Sequence, residues 1–466
     1  MESSTEGLVG QLVEIVGSDW VKTDDVELQY YGKDWTNVFH SDPIAIVLPS
    51  SIEDVQAIVE VAMDNQVALV PSGGRTGLSG GAVAEQHEIV VAFDRMNKIL
   101  NFDAVDRQVI CQPGVITEQL QQFADDNDLF YPVDFSSSGS SQLGGNVATN
   151  AGGIKVIRYG MTRNWILGMK VITGTGEILD LNRGLTKNAT GYDFRHLFIG
   201  SEGTLGLIVE LTVALCPKPK DPKVLLLGVE QLTDTMEVLK AFRNKLELTA
   251  FEFFSDKAMS HVIGEKGLQR PFESICSFYA LIEFENSAEQ DLANAMEQFE
   301  YCLEKGWIVD GTISQSRAQA ENLWRLREDI SESIAKFSPY KNDISVKVSK
   351  VPESLEELDD LVTQVYPEFE IIWFGHIGDG NVHLNILKPE QLEIGKFYES
   401  CSKISEWVFD LVKKYGGSIS AEHGIGMLKK PFLQYSRSPA ELEYMKAIKR
   451  VFDPHNIMNP GKLIDV

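Results

Sequence analysis

The sequence has few cysteines, and none of them lies in a CxxC arrangement. The five are scattered along the chain and odd in number: Cys111, Cys216, Cys276, Cys302 and Cys401. This pattern argues against a disulfide framework and against a zinc ribbon, and it suits a reducing compartment.

Positive charge is scarce as well. Lys and Arg number 42 against 68 Asp and Glu, which gives a formal net charge of -26. Because a phosphate backbone is bound by fields of Lys and Arg, this balance argues against a nucleic-acid partner. An anionic small substrate would therefore need a local basic pocket.

Targeting signals and membrane-spanning apolar runs are not expected from the sequence either. Residues 1–20 carry acids rather than a basic region and lack a sustained apolar core, so neither a signal nor a transit peptide is expected. No run reaches the length of a membrane span. With 466 residues and 43% hydrophobic content, the chain is expected to form two or three globular domains of a cytoplasmic enzyme.

A histidine-containing stretch, residues 374–387, is the most informative part of the chain; it reads FGHIGDGNVHLNIL. Its composition predicts a β-hairpin with a four-residue loop, residues 378–381. In that register His376 opposes His383, with Cβ atoms roughly 4.5–5.5 Å apart, and Asn385 shares their face. Two imidazoles and an amide would then point toward one place.

A third metal ligand is available in Glu422, which follows a strand-like run, residues 417–421. Two His and one Glu that leave a coordination position open are what a catalytic metal requires. The alternative is that His376 and His383 merely bond neighbouring backbone groups. The Glu422-His423 pair between small residues favours the metal.

The N-terminal part predicts an amphipathic helix over residues 6–20, with Leu8, Leu12, Ile15 and Val16 at helical spacing. A βαβ unit follows from Ala45, with Ser51 as the helix cap. The loop YYGKDW, residues 30–35, has no interpretation from spacing alone.

Three glycine-rich regions follow in the first half of the chain. Residues 71–83 contain enough glycine to expose successive N–H groups to phosphate oxygens, with Arg75 adding a charged contact; a flexible turn is the alternative. Residues 136–160 resemble main chain wrapped around an extended ligand, and residues 188–209 form the third region. Together they predict a long cofactor held by backbone.

The second half begins after a proline-rich crossing, residues 217–222. Its alternating strand-like and helix-like segments predict an antiparallel sheet backed by helices. Residues 321–335 predict one helix whose core stripe is Leu323, Leu326, Ile330 and Ile334. Arg327 and Ser331 would lie one turn apart beside that stripe.

Six motifs in one order carry a resemblance: PSGGRTGLSGGAV, SSQLGGNVATNAGG, GSEGTLGLIVE, HIGDGNVHLNI, AEHGIG and FDPHNIMNPGK. They resemble the FAD-linked oxidases and dehydrogenases of the vanillyl-alcohol-oxidase (PCMH-type) fold, and within it the D-2-hydroxy-acid dehydrogenases. The resemblance implies an α+β protein with an FAD-binding domain of two α+β subdomains (1–218). A ferredoxin-like antiparallel-sheet substrate domain (219–415) and a C-terminal segment returning to the flavin (416–466) would follow.

The resemblance also implies the residues that contact FAD. They are Ser72, Gly73, Gly74, Arg75, Thr76, Gly77, Leu78, Ser79, Pro132, Gly139, Ser140, Gly144, Gly145, Asn146, Thr149, Asn150, Gly152, Gly153, Gly160, Glu202, Gly206, Ile208 and Asn459. Some relatives attach FAD through a His in the first glycine loop. That loop has no His here, so a non-covalent FAD is expected.

For the substrate, the resemblance implies that Arg327, Ser331 and Lys341 hold the distal carboxylate of a small dicarboxylate 2-hydroxy acid. The family commonly has Thr at the position of Ser331, and the spacing to Lys341 is one residue shorter here. The alternative for Arg327 and Lys341 is a solvated charged face, which is the favoured interpretation for Arg325.

The chemical hypothesis is oxidation of the 2-hydroxyl group. A metal on His376, His383 and Glu422 would bind the hydroxyl and the C1 carboxylate near Asn385, His423 would take the proton, and hydride would pass to FAD. Zinc suits the ligands; manganese, cobalt or iron would also fit.

Rival functions are a metallohydrolase, an FAD enzyme for D-malate, D-lactate or glycolate, and a flavin-holding redox carrier. The electron acceptor that the family suggests is electron-transfer flavoprotein or a quinone. A homodimer is left open.

Overall fold

The computed structural model describes residues 2–36 and 38–466, which form two compact units. Unit 1 comprises Met1–Gly153, Met161–Lys218 and Glu422–Val466, and unit 2 comprises Ile154–Gly160 and Pro219–Ala421. The predicted segments 1–218, 219–415 and 416–466 divide the chain in sequence order, whereas the two units interleave along it. Residues 154–160 and 416–421 thus group with unit 2.

The described residues contain fifteen α-helices. They are α1 (Glu2–Val16), α2 (Asp25–Tyr31), α3 (Ile52–Asn65), α4 (Thr117–Asp126), α5 (Leu143–Thr149), α6 (Val156–Tyr159), α7 (Arg195–Phe198), α8 (Asp234–Arg243), α9 (Asp256–Lys266), α10 (Glu289–Lys305), α11 (Arg317–Glu328), α12 (Ile330–Ser333), α13 (Val351–Val365), α14 (Ile394–Lys414) and α15 (Pro439–Phe452).

Eighteen strands accompany them in the same part of the chain. They are β1 (Val21–Lys22), β2 (Ala45–Val47), β3 (Leu69–Ser72), β4 (Ile89–Ala92), β5 (Ile99–Asp103), β6 (Gln108–Cys111), β7 (Leu129–Phe130), β8 (Ile166–Thr173), β9 (Ile178–Leu181), β10 (Gly206–Ala214), β11 (Cys216–Pro217), β12 (Pro222–Val229), β13 (Leu248–Ser255), β14 (Phe278–Glu285), β15 (Asp310–Ile313), β16 (Tyr340–Ser345), β17 (Glu370–Gly375) and β18 (Asn381–Leu387).

The first subdomain of unit 1 is built on a four-stranded sheet in the order β1-β2-β4-β3. The predicted βαβ unit is confirmed as β2, α3 and β3, with the hydroxyl of Ser51 capping α3 at the N–H of Asp54. Strand β4 lies between β2 and β3 and runs parallel to both, so those two strands are not direct neighbours. Helix α1 ends at Val16, since Gly17 adopts a positive φ of 88°, and the predicted extension to residue 20 is wrong.

The second subdomain of unit 1 is a five-stranded antiparallel sheet in the order β5-β6-β10-β8-β9. Its buried face packs against α4 and α5, with Leu120, Val147 and Leu211 among the core residues. Two α+β subdomains are therefore present in the N-terminal half, as expected.

Unit 2 is organised by a seven-stranded sheet in the order β15-β12-β14-β13-β17-β18-β16, with antiparallel pairing throughout. Its first four strands follow the ferredoxin-like order, since β12 lies between β15 and β14 and β13 follows β14. The predicted ferredoxin-like sheet is therefore confirmed, with three further strands added at the β13 edge.

Two predicted elements of unit 2 differ in the structure. The helix over residues 321–335 is interrupted at Asp329, the residue between α11 and α12, although its predicted core stripe is buried. The strand over residues 417–421 reduces to one antiparallel bridge between Ser418 and Ser345, the last residue of β16. Within the described residues, no helix is long and apolar enough to cross a membrane.

Candidate functional site

A cleft in unit 1 has about 1360 Å³ of open space, part of it continuous with solvent. Predicted cofactor residues that line it are Gly73, Gly74, Arg75, Thr76, Gly77, Leu78, Ser79, Gly144, Gly145, Asn146, Thr149, Gly152, Glu202, Gly206 and Ile208. The three glycine-rich regions therefore meet around one cleft.

Close backbone contact explains part of the glycine content. A Cβ atom on Gly74 would lie 2.1 Å from the carbonyl oxygen of Ser140, so only glycine lets the first and second glycine regions touch there. A Cβ atom on Gly145 would meet nothing within 4 Å. That glycine leaves room on the cleft wall for a ligand to approach the main chain.

The side chain of Arg75 has partners within the protein, and its predicted contact with phosphate stays a prediction. Its guanidinium forms an ion pair with Asp94 at 3.2 Å and lies 4.6 Å and 4.7 Å from the ring centroids of Tyr30 and Tyr31. These partners hold the charge beside α2, and Arg75, with a φ of 60°, is among the residues that line the cleft.

The segment YYGKDW, which spacing alone did not explain, supports the first glycine region; its first two residues end α2, so the predicted loop begins only at Gly32. The buried carboxylate of Asp34 accepts the N–H of Gly80 at 2.8 Å, and the N–H of Trp35 donates to the carbonyl of Gly77. Burial raises the pKa of the Asp34 carboxyl, while its hydrogen bonds oppose the rise. The spacing of residues in the sequence did not indicate that Asp34 would be buried.

Eight predicted cofactor residues do not line the cleft: Ser72, Pro132, Gly139, Ser140, Asn150, Gly153, Gly160 and Asn459. Gly160 belongs to unit 2, and Asn150 ends α5 in a left-handed conformation with its amide oxygen bound to the N–H of Arg163. Other residues on the wall were missed, among them Asp34, Phe93, Phe135 and Gln142.

Asn459 joins the glycine regions to the C-terminal segment. It is fully buried, and its amide nitrogen donates to the carbonyls of Gly81 and Glu202 at 2.8 Å and 2.7 Å. The Glu202 carboxylate accepts the N–H groups of Ile425 and Gly426, each at 2.7 Å. Burial raises the pKa of Glu202, and these two donors oppose that rise.

Glu422 and His423 also line the cleft of unit 1. Their nearest side-chain atoms, Oε1 of Glu422 and Nε2 of His423, are 3.6 Å apart. Both side chains are partly accessible, at 18% and 27%. An imidazole is thus present on the cleft wall.

Two observations indicate that FAD fits this cleft. The backbone is glycine-rich and open at Gly145, and the buried Oε1 atom of Gln142, on the same wall, has no hydrogen-bond partner among the described residues. An acceptor left open in this way suits a ligand that brings its own N–H or O–H donor.

In unit 2 the histidine-containing hairpin is present in a different register. Phe374, rather than His376, pairs with His383, and the connecting turn has five residues, 376–380. The predicted four-residue loop counted Asn381 as a turn residue, but its side chain bonds Asp343 and the carbonyl of Ile344, which holds it in β18 beside β16. The observed strand pairing is shifted by two residues from the predicted one. Because side chains alternate with a period of two, His376 and His383 stay on the same face of the sheet.

The two imidazoles are neighbours despite that shift. The ring centroids of His376 and His383 are 5.4 Å apart and the planes are near perpendicular, at 84°. The Nδ1 atom of His376 lies 2.8 Å from Oε1 of Glu252, and Nδ1 of His383 lies 3.7 Å from Oδ1 of Asp343. The Nε2 atom of each ring is thus on the side away from its carboxylate.

Metal-binding His residues usually turn their second nitrogen toward a carboxylate or carbonyl. The pair in unit 2 has that arrangement, so the donor set fits a divalent metal. Asp343 also accepts the N–H of Ala421 at 3.1 Å, and Ala421 is the last residue before Glu422.

The predicted substrate residues differ in burial. Arg327 is 7% exposed, its Nη2 lies 2.9 Å from Oε2 of Glu252, and its Cζ lies 4.8 Å from the ring centroid of Phe374. Lys341 is exposed and pairs with Asn385 across β16 and β18, so both side chains occupy one face.

Ser331 is exposed, whereas Ser333 is buried and its hydroxyl has no hydrogen-bond partner among the described residues. Arg325 is partly exposed and pairs with Asp329, which confirms its interpretation as a solvated charge.

Comparison with known proteins shows two domain families. Residues 218–463 match the model described as FAD linked oxidases, C-terminal domain, and residues 43–182 match the FAD binding domain. D-2-hydroxyglutarate dehydrogenase of Stutzerimonas stutzeri (strain A1501) is 59% identical over 456 residues, which cover 98% of each chain. The enzyme of that name from Xanthomonas citri pv. viticola is 50% identical over 99% of this chain and 98% of its own.

Among solved structures, that of p-cresol methylhydroxylase with substrate bound has a TM-score of 0.75. The match covers 100% of this chain and 98% of that chain at 16% identity, so it shows the fold alone.

Proposed function

The chain belongs to the FAD-linked oxidase family and is an FAD-dependent oxidoreductase, and from that premise we propose that it oxidises D-2-hydroxyglutarate to 2-oxoglutarate. The carbon bearing the hydroxyl group loses a hydride and the hydroxyl loses a proton. Bound FAD would supply the hydride acceptor, and a divalent metal, zinc or otherwise manganese, cobalt or iron, would supply a Lewis acid.

The observation that carries the proposal is the composition of one face of the unit 2 sheet. Lys341, Asp343, His383 and Asn385 alternate along β16 and β18, so they share a face. The amide nitrogen of Asn385 and Nε of Arg327 are buried without hydrogen-bond partners among the described residues. Cations and open donors on one face suit a dianionic substrate.

The distal carboxylate is assigned to Arg327 and Lys341, with Ser331 as the weaker candidate. A substrate that ends in a methyl group would leave the buried guanidinium without a new partner. This favours a dicarboxylate over D-lactate or glycolate, and D-malate is the alternative that keeps two carboxylates.

The metal is assigned to His376, His383 and Glu422. Support comes from the carboxylates on Nδ1 of both rings and from chain continuity, since Glu422 follows Ala421, whose N–H binds Asp343. His423 is proposed as the base that takes the hydroxyl proton. Its partial exposure leaves it accessible to substrate and to bulk water, to which the proton must finally pass.

Electron-transfer flavoprotein or a quinone is proposed as the electron acceptor. The excess of acidic residues suits a basic protein partner. A cytoplasmic location is proposed with it, and a homodimer remains an open part of the proposal.

The test is anaerobic reduction of the FAD-loaded protein. D- and L-2-hydroxyglutarate, D-malate, D-lactate and glycolate are added with and without a chelator, and the loss of flavin absorbance is followed. The D-2-hydroxyglutarate reaction should be fastest and should slow after chelation, with recovery when Zn²⁺ or Mn²⁺ is restored. A rate with D-lactate comparable to that with D-2-hydroxyglutarate would contradict the substrate assignment. A rate of flavin reduction that is unchanged by the chelator would contradict the metal assignment.

In the same assay the His423→Asn variant should bind FAD with an unchanged visible spectrum and reduce it about 10²–10⁴ times more slowly, the range that a general base contributes. The matched control is His455→Asn, an exposed histidine in the same C-terminal segment. Full activity of His423→Asn would remove this residue from the mechanism.

A further inference from the structure

Glu252, in the middle of β13, is a completely buried carboxylate with two charged or polar partners. Its Oε1 is 2.8 Å from Nδ1 of His376, and its Oε2 is 2.9 Å from Nη2 of Arg327. One carboxylate therefore touches both a proposed metal ligand and a proposed substrate-binding cation. No motif around Glu252 singled it out in the sequence.

The contact with His376 selects the form of the imidazole. An ionised carboxylate only accepts hydrogen bonds, so a neutral His376 that binds Oε1 must carry its proton on Nδ1. The lone pair is then on Nε2, the atom on the opposite side of the ring. A hydrogen-bonded carboxylate also makes the imidazole a stronger donor toward a cation.

The contact with Arg327 is of a different kind. The distance between Oε2 and Nη2 is that of an ion pair, but Oε2 accepts no hydrogen bond, and Nε of Arg327 donates none among the described residues. The guanidinium is held by charge and by the ring of Phe374. Its hydrogen-bonding capacity is only partly used, which leaves N–H groups for a ligand.

We propose that Glu252 is a positioning residue that serves both ends of the substrate site, fixing the tautomer of His376 and partly neutralising Arg327. This inference rests on the proposed function. The two effects have opposite signs. The carboxylate strengthens cation binding at the imidazoles, and it weakens anion binding at Arg327 because it competes with the incoming carboxylate for the same guanidinium.

A purely structural carboxylate would behave differently. If Glu252 only balanced the buried charge of Arg327, its loss would loosen β13 and α11 together, and cation and anion binding would weaken in parallel. Opposite changes at the two ends therefore separate a positioning role from a structural one.

The first measurement uses the wild-type, FAD-loaded protein freed of metal by a chelator. Nitrogen NMR of histidine-labelled protein at mildly alkaline pH, with the His376 signal assigned from His376→Asn, reports which ring nitrogen bears the proton. We expect the Nδ1–H tautomer. The Nε2–H tautomer would overturn the inference, whatever the behaviour of any variant.

The second measurement compares Glu252→Gln with wild type in two calorimetric titrations. Zn²⁺ is titrated into the metal-free protein, and its affinity should fall about 10- to 100-fold, the usual effect of losing such a carboxylate. Glutarate, an unreactive dicarboxylate, is titrated into metal-free protein, and its affinity should rise about 3- to 10-fold as the competing anion is removed. Butyrate, with one carboxylate, is the reference ligand.

The control is Glu283→Gln. Glu283 is also buried on the unit 2 sheet, in the neighbouring strand β14, and its partners are Lys155, Thr249 and Trp324. Its hydrogen-bond and ion-pair partners include neither His376 nor Arg327, so both affinities should stay near wild type. Glu252→Asp, which retains the negative charge, should recover much of the Zn²⁺ affinity lost in Glu252→Gln.

The outcomes are distinct. Equal losses of Zn²⁺ and glutarate affinity in Glu252→Gln, or no change in either, would reject the inference. Failure of the wild-type protein to bind Zn²⁺ would instead count against the metal in the proposed function, and the tautomer measurement would still decide the role of Glu252.

Discussion

Lys341 shows how a single side chain acquires its properties from its surroundings. The residue is solvent-exposed on an outer strand, yet desolvation by the neighbouring protein lowers the pKa of its ammonium group. Sequence spacing suggested the cation and could not have suggested the shift, because the desolvating groups come from elsewhere in the fold.

We predict a pH dependence of dicarboxylate binding from this shift. The ammonium group of Lys341 is charged at pH values below its pKa, so the protein should bind glutarate at neutral pH. The affinity should be lost as the pH rises through the pKa of Lys341, which lies below the ordinary lysine value of 10.5. Titrations of metal-free protein with glutarate over a pH series measure it. Lys341→Arg should keep its affinity to higher pH, because the guanidinium stays charged.

The control for that prediction is Lys347→Arg, which changes an exposed lysine beyond the end of β16 and should leave the profile unchanged. A midpoint at or above the ordinary lysine value, or one that Lys341→Arg does not move, would show that Lys341 does not bind the distal carboxylate.

At the scale of elements, the turn between β17 and β18 depends on one glycine. Gly380 has a φ of +89°, and a Cβ atom there would lie 2.2 Å from the carbonyl oxygen of Val346. The N–H groups of Asp379, Gly380 and Asn381 all bond to the carbonyl of His376. The turn thereby holds His376 in place just beyond the end of β17.

Gly380→Ala should therefore destabilise unit 2 by about 1–2 kcal/mol from the left-handed backbone alone, and by more from the clash. It should also weaken Zn²⁺ binding, since His376 is displaced. Denaturant unfolding and Zn²⁺ titration measure the two effects.

Gly264→Ala is the matched control. Gly264 lies within α9 of the same unit with nothing within 4 Å of its Cβ position, so alanine should stabilise by about 0.5–1 kcal/mol. Zn²⁺ affinity unchanged in Gly380→Ala would show that the turn does not position His376.

At the scale of the whole molecule, the C-terminal segment completes unit 1 through a buried ion pair. Lys449 in α15 is fully buried, and its ammonium donates to Asp453 at 2.6 Å and to the carbonyls of Thr204 and Met458, each at 2.9 Å. All three N–H donors are satisfied. The pair joins the third glycine region to residues almost 250 positions later in the chain.

Lys449→Met should destabilise unit 1 by about 3–5 kcal/mol, because Asp453 is left as an unpaired buried charge. Flavin fluorescence during heating should show FAD release at a lower temperature than in wild type. Lys446→Met, a change on a partly exposed face of α15, should release FAD near the wild-type temperature. Equal release temperatures for the two variants would mean that this ion pair does not stabilise the FAD-binding unit.

Much of the fold could be predicted from local patterns. Helical spacing located α1 and the stripe of α11 and α12, the cap at Ser51 located α3, and alternating segments predicted the antiparallel sheet of unit 2. The predicted bounds of helices and of the hairpin turn were wrong where a single residue ended or interrupted an element, as at Gly17, Asp329 and Asn381. Turn composition was compatible with two hairpin registers, and only the bonds from Asn381 to β16 selected one of them.

By itself, the sequence determined the glycine regions around one cleft, the imidazole pair and the family, because these depend on residue type and order. Tertiary structure alone decided which charges are partners. Arg75 pairs with Asp94, and Glu252 meets His376 across 124 positions of sequence and also contacts Arg327. The physical reason is range: backbone preference acts over a few residues, whereas a buried charge pairs with whatever the folded chain brings within about 4 Å.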